Sequence, residues 1–501
     1  MSKMLNTTQA AIAWVNRTRQ HAMTLDDEAD ALLAQLNGAA ATESALNAAR
    51  HERASIGLYG YSQAAKAHLL AALCSSDNGK VNVITPDRSF DYFSHLNPGH
   101  APTNMALRFT RQVNLSDDEW PLRLRLVTEA ELVQIFIAQA CAQPAYRQVE
   151  KAIIESRIEK WQSLRQLHPV QGVTAQEVAT IARFWQRCLP ASQQQIDDAL
   201  WQQFALLLPT VDLSTRASAW SLLWGEQPEL TQQWLELAQV LQQTGHASEV
   251  AAPLSLLVDQ FGLPSESFIT QEFLASQEAQ SDVVVHPVVD EKRLNAVSLA
   301  QSSLALLTRE LVLSVEDSVL DGVDLLDIPL APLHHPQPLW QAKLGWLLEH
   351  YRQQLQPDVL VVCNATATRT QTPSTARTLL NWVRDTQPMR ETAMPGVVWA
   401  ITPQDARFTT QQNLDEAVQH LMGKPGQHWG TLQALDKHSL LRLTEWLSQA
   451  TSTLQRQARL QALNEQHLQH VRELMLAQPA EAPSAEAVVR QLQQQAAHHG
   501  D

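Results

Sequence analysis

The sequence predicts a helix-rich α/β protein. It places a phosphate-loop-type sheet domain around a large all-helical insertion, with helical N- and C-terminal regions. Three observations predict this. Short apolar runs at residues 323–328 (VDLLDI), 359–363 (VLVVC) and 397–401 (VVWAI) alternate with helical patterns, as buried parallel strands with crossover helices do. From Thr128 to about Phe261 the chain instead reads as helix after helix. Glycine is scarce, 16 of 501 residues, about 3% against a usual ~7%. The expected divisions are 1–50, an N-terminal helical segment; 51–127 and 291–435, the two parts of the sheet domain; 128–290, the insertion; and 436–501, a C-terminal helical region.

In chain order, residues 7–50 read as helix, with Ile12, Val15, Leu25, Ala29, Leu32, Leu33 and Leu36 at helical spacings and Asp26-Asp27-Glu28 on a solvated face. Residues 55–67, SIGLYGYSQAAKA, read as strand, tight loop and helix start. VNVIT, residues 81–85, alternates and ends at Pro86, which predicts a second strand; further strand signals lie before Thr110 and at 123–127. Thr128 and Glu131 have capping-box spacing and open the helical series. Helices are expected around 146–167, 174–188, 194–208 and 230–243, with Trp161, Trp185, Trp201, Trp220, Trp224 and Trp234 as packing residues. Helical patterns at 339–355 and 375–383 separate the later strands. PAEAPS, residues 479–484, reads as a linker before an amphipathic helix at 485–495.

Written against G-x-x-x-x-G-K-[ST], residues 60–67 keep Gly60 and Lys66 but carry Ala65 for the second glycine and Ala67 for the hydroxyl. Ala67 cannot ligate Mg²⁺ through its side chain, and Ala65 puts a Cβ where backbone and phosphate approach closely. Two further motifs of a phosphate-loop GTPase are altered in the same way. Asp327-Ile328-Pro329-Leu330 stands for D-x-x-G, and Thr402-Pro403-Gln404-Asp405 stands for [NT]-K-x-D. Each follows an apolar strand, and the three occur in the required order. The reading is therefore a degenerate P-loop GTPase-like domain, with Gly60, Lys66, Asp327, Thr402 and Asp405 as candidate nucleotide-binding positions. Thr103 occupies a switch-like place but reads as a plain loop threonine.

The fragments GLYGYSQAAKAHLLAAL, RLRLVTEAELVQIF, FGLPSESFIT, VDLLDIPLA, VVWAITPQDARF and LMGKPGQHWGTLQALDK, in this order, resemble the SrfC-like family of bacterial virulence factors. The resemblance runs from the N-terminal helix to about Lys437. That family resembles dynamin-like and other large GTPases with a helical region inserted between the loop and D-x-x-G. It implies partners of the SrfA and SrfB type. The family pattern is similar to G-x-S-Q-[AS]-G-K-S, D-[FILV]-P-G and T-K-x-D, from which this chain departs at Ala65, Ala67, Leu330 and Pro403. Family members also tend to extend further, so a shortened or divergent member is expected.

A formal charge of −15 argues against coating nucleic acid or binding an anionic membrane as the main activity. The absence of a basic face likewise disfavours membrane contact by the amphipathic ends. Cys74, Cys141, Cys188 and Cys363 are scattered, form no CxxC pair and read as free thiols in a reducing compartment. The first residues, MSKMLNTTQAA, show no apolar h-region, and no run suits a membrane span, so a cytoplasmic location is expected, with signal-independent export left open. His334-His335 and the pair His467 and His470 lack ligand company and read as surface residues; His498-His499 reads as a tail.

With the Mg²⁺ hydroxyl, the D-x-x-G glycine and the T-K-x-D lysine all gone, efficient GTP hydrolysis is not expected. The leading expectation is a pseudo-GTPase serving as a non-catalytic component of a virulence-associated assembly, with weak GTP or GDP binding at most, without a normal Mg²⁺ site, and no metal. Two alternatives stay open. One is an atypical hydrolase using Lys66 and Asp327 with a rearranged metal site; the other is a helical adaptor without a ligand.

Overall fold

The structure, a computed structural model, describes residues 2–19, 23–75, 79–112, 119–265, 268–388, 394–405, 408, 413–477 and 489. The single helical run expected over 7–50 is two helices, α1 (Ser2–Thr18) and α2 (Met23–His51). The strand β1 (Ala54–Tyr59) is buried from Ser55 onward and leads into α3 (Gln63–Cys74). There follow β2 (Asn82–Ile84), β3 (Ser89–Asp91), β4 (Ala106–Thr110) and β5 (Leu122–Leu126). The helical series is α4 (Glu129–Cys141), α5 (Lys151–Gln162), α6 (Ala175–Cys188), α7 (Asp198–Leu207), α8 (Leu213–Ser221) and α9 (Pro228–Gln243). Next come β6 (Glu249–Ala252), β7 (Asp282–Val289), β8 (Lys292–Arg293), β9 (Val297–Ala300), α10 (Gln301–Leu307), β10 (Thr308–Ser314) and β11 (Val323–Ile328). The chain continues as α11 (Pro338–Gln353), β12 (Val359–Val362), α12 (Thr372–Thr386), β13 (Val397–Ile401), α13 (Asp415–Met422), β14 (Trp429–Gln433), α14 (Lys437–Ala450) and α15 (Thr453–Leu476). The linker and helix expected at 479–495, and the His498-His499 tail, lie outside the described residues, apart from Val489.

A mixed sheet carries most of the strands, in the order β14-β13-β12-β1-β11-β4-β10-β5-β6-β7-β8, with β9 on β7. The run β14-β13-β12-β1-β11 is parallel throughout, and β4 then pairs antiparallel with β11. β11, β12 and β13 are buried along their whole length and carry the largely apolar runs that burial on both faces demands, whereas β14 at the edge is buried only at Trp429. Tyr59 stands opposite both Ile328 and Val362, and Val362 opposite Trp399. The carboxyl ends of β1, β11, β12 and β13 therefore share one edge of the sheet.

The second strand expected at VNVIT is present as β2, which pairs antiparallel with β3 and bridges to Val315 through Val83. Thr85 N donates to Arg88 O at 2.8 Å, folding the chain straight back after three strand residues. One expectation is corrected here: the all-helical insertion expected over 128–290 is α-helical only as far as Gln243, with short 3-10 turns beyond it, and β6 and β7 pair antiparallel and extend the sheet past β5.

The chain forms two compact units. The first comprises the described residues of Met1–Arg50, Thr128–Gln242 and Gln461–Asp501, so the N-terminal helices share a unit with the inserted ones. Ala11, Val15, Ala29, Leu32, Leu33, Leu36, Val471 and Met475 form one of its apolar clusters. The six tryptophans expected to pack there are all buried. Thr128 with Glu131 closes the capping box of α4, and Thr174 with Glu177 closes another on α6. Arg216 forks onto Glu129 in the core, with Nε–Oε2 and NH2–Oε1 both 2.9 Å. Gly172 must stay a glycine beside that pair, because its φ is +142° and a Cβ would lie 2.5 Å from the Arg216 guanidinium. His467, expected at the surface, is buried and meets Glu43 Oε1 at 3.0 Å. The second unit, His51–Val127 and Gln243–Leu460, holds the sheet. Among the described residues, no helix is long and apolar enough to cross a membrane.

Candidate functional site

The site is assembled at the carboxyl ends of the parallel strands. β1 runs into Gly60, whose φ is +143° and whose Cβ, if present, would lie 1.7 Å from Cys363 O. Only glycine fits there. Cys363 N donates to Tyr59 O and Tyr61 N to Asn364 O, both at 2.8 Å, so the loop is stitched to the end of β12. Asn364 makes this turn at φ +59°, a conformation asparagine tolerates better than most residues.

The helix after the loop starts early, at Gln63, with Ser62 as its N-cap. Ala65 N donates to Ser62 Oγ at 3.2 Å and Lys66 N to Ser62 O at 3.0 Å. In a phosphate loop the backbone N–H groups of this stretch face the phosphates; here these two close on the serine, as in an ordinary capped helix. Tyr61 Oη donates to Ala331 O at 3.1 Å, and Gln63 Nε2 to His100 O at 3.0 Å. These bonds tie the loop down to the segments after β11 and β3.

The lysine is inside. Lys66 is 1% exposed, and its Nζ donates to Asp327 Oδ1 and to Ile328 O, both at 2.9 Å. Asp327 is 2% exposed, and its Oδ2 stands 3.2 Å from His100 Nε2, an ion-pair distance without hydrogen-bond geometry. Burial by itself would raise the Asp327 carboxyl. The Lys66 charge and His100 outweigh it and hold the group well below the usual carboxylate range.

Gly60, Lys66 and Asp327 therefore converge, but as a closed internal contact. Thr402 and Asp405 lie at the end of β13, with β12 between that strand and β1. Thr402 is buried, and its carbonyl accepts from Asp405 N at 2.9 Å while its Oγ1 accepts from Gln404 N at 3.3 Å. Pro403 is exposed at the tip of this turn. Burial pushes the Cys363 thiol up to about 12, and the charges of Lys66, Asp415, Asp405 and Asp327 all reach it, placing Cys363 amid the motif residues. Thr103 is buried, with its Oγ1 donating to Met105 O at 2.9 Å.

Sequence reasoning missed His100, Cys363 and Asp415. No spacing could reveal them, since each reaches the site from a different connection. The Asp415 carboxylate accepts from Asn364 N at 3.0 Å and Ala365 N at 2.8 Å, clamping the turn that holds the loop. Among the described residues, no group of three His, Cys, Asp or Glu side chains could hold a metal ion. His334 is exposed and His335 only half-buried.

A family model described as "Putative bacterial virulence factor" matches residues 11–450, across both units. The chain belongs to this virulence-factor family. It is the family that the ordered sequence fragments resemble. No curated protein matches the chain.

In this virulence-factor family member, the clamp has a pH signature. Burial raises the Asp415 carboxyl to about 6 despite the hydrogen bonds that favour its charge. Its unfolded value is about 3.9, so the folded chain binds this proton first as pH falls. The group's contribution to stability therefore rises on acidification from pH 7 towards 4, by at most about 3 kcal/mol. The stability difference between wild type and Asp415→Asn, read from urea denaturation, should shift in favour of wild type between pH 7 and pH 5. A difference constant with pH would contradict the assignment.

Proposed function

We propose that this virulence-factor family member is a pseudo-GTPase, a scaffold in a multi-protein assembly rather than a catalyst. A parallel sheet with motif-bearing loops at the carboxyl ends of β1, β11 and β13 supports the ancestry, because ligands of open α/β sheets bind at that edge. The observation that carries the loss of function is the Lys66–Asp327 contact at 2.9 Å, with both side chains buried. In a working site the lysine neutralises phosphate and the aspartate serves the Mg²⁺ shell. Here each neutralises the other. A nucleotide would have to break that pair and enter without a side-chain hydroxyl at Ala67 or an open row of loop N–H groups. On this reading the sheet domain is the scaffold, the helical unit offers the partner-binding surface, and SrfA- and SrfB-type proteins are the partners the family resemblance suggests.

Thermal unfolding with GTP, GDP or ATP, each with and without Mg²⁺, tests this. A ligand at about 100 times its dissociation constant adds about 2.7 kcal/mol of stability. No shift is expected at millimolar nucleotide. A Mg²⁺-dependent stabilisation by GTP would overturn the proposal.

A further inference from the structure

The last residue of α4 is Cys141 and the last of α6 is Cys188, and these two helices pack together in the first unit. Their side chains are in hydrogen-bond contact, and the Tyr146 hydroxyl also meets Cys141. Neither is in a disulfide, and both are only half-buried. The other two cysteines are more deeply buried. Cys74 and Cys363 are 1% and 3% exposed, and burial pushes both thiols up to about 12.

We propose that Cys141 and Cys188 are a redox modification site, forming a reversible disulfide that joins the ends of α4 and α6. The contact with Cys188 and then that with Tyr146 favour the Cys141 thiolate, lowering its pKa against the opposing effect of burial. Thiolate character and access govern this chemistry, and the half-exposed Cys141 sulfur is favoured in the first and open to the second. With a peroxide as oxidant, the Cys141 thiolate attacks one peroxide oxygen. The O–O bond breaks, the leaving oxygen takes up protons as water, and Cys141 becomes a sulfenic acid. The Cys188 sulfur then displaces the sulfenic oxygen, which leaves as a second water. Two thiols have lost two electrons and two protons to one peroxide. A small disulfide such as oxidised glutathione serves equally by exchange, releasing two reduced thiols.

The test uses the full-length wild-type protein treated with stoichiometric hydrogen peroxide, or with oxidised glutathione in a second arm. Free thiols are then alkylated and the protein is peptide-mapped without reduction. The expected result is a cross-linked peptide pair containing Cys141 and Cys188, an intact mass lower by two hydrogens, and reversal by dithiothreitol. Cys74 and Cys363 should be alkylated only after denaturation. In Cys188→Ser, the sulfenic acid or a glutathione adduct should accumulate on Cys141 instead. Any of three results would overturn the proposal: no reaction at either residue, separate oxidation of the two without a cross-link, or cross-links only between molecules.

Discussion

Lys66→Ala should lower folding stability by about 3–5 kcal/mol, the usual cost of stripping one partner from a buried ion pair. A lysine that served only a ligand would behave otherwise, because a substitution away from core contacts typically stays within about 0.5 kcal/mol. Here the substitution leaves the Asp327 carboxylate 2% exposed, without the ammonium 2.9 Å away. The pH dependence should change sign as well. In the wild type the Asp327 carboxyl is held low, so its stabilisation is complete above about pH 4 and is lost as pH falls towards the folded value. In Lys66→Ala burial dominates, the carboxyl is raised, and acidification should relieve the variant while it weakens the wild type. Urea denaturation at pH 7 and pH 5 reads the relief of the variant, and a further point at about pH 3 reads the weakening of the wild type.

The second large effect is expected at Glu310, on β10 of the same sheet. Arg108 forks onto it, with Nε–Oε2 at 3.0 Å and NH2–Oε1 at 3.2 Å. Arg125 NH1 adds a contact at 2.9 Å, and Tyr351 Oη donates at 2.7 Å. Burial would raise this carboxyl, but Arg108, Arg125 and Arg309 hold it well below the usual range. Asp324 shares Arg108 at 3.2 Å and pairs with Arg53 at 2.9 Å, so the carboxylates and guanidiniums form one network. Glu310→Gln removes a charge that two arginines face and should cost about 3–5 kcal/mol. The wild-type contribution is present above about pH 4.3 and is lost on further acidification, the depressed-carboxylate sign. A loss below about 0.5 kcal/mol in urea denaturation would show that the network rearranges to absorb the change.

The sequence made the scaffold of the site legible and hid its chemistry. Runs such as VLVVC and VVWAI announce β12 and β13 because a strand buried on both faces must be apolar along its whole length. The capping box at Thr128 and Glu131 is legible because its bonds close within one helical turn. β5 was harder. Its LRLRL alternation implies a solvated arginine face, yet Arg125 reaches the buried Glu310 on β10. β6, β8 and β9 were missed because strands of two to four residues carry little periodic signal. The same holds within the site. The order of the three altered motifs marked Gly60, Lys66 and Asp327, but nothing local shows that Lys66 bonds Asp327, 261 positions on. The Cys141–Cys188 contact is likewise a product of helix packing, invisible to any spacing rule.

If the Lys66 charge serves the fold, the coupling between Lys66 and Asp327 measures it. Lys66→Met, Asp327→Leu and the double variant would be compared with wild type by urea denaturation, in a double-mutant cycle. Each single variant should lose about 3 kcal/mol or more, while the double variant should lose clearly less than their sum because no unpaired charge remains buried. Small, additive losses together with a Mg²⁺-dependent stabilisation by GTP in the wild type would contradict it, and would place Lys66 in a working nucleotide site.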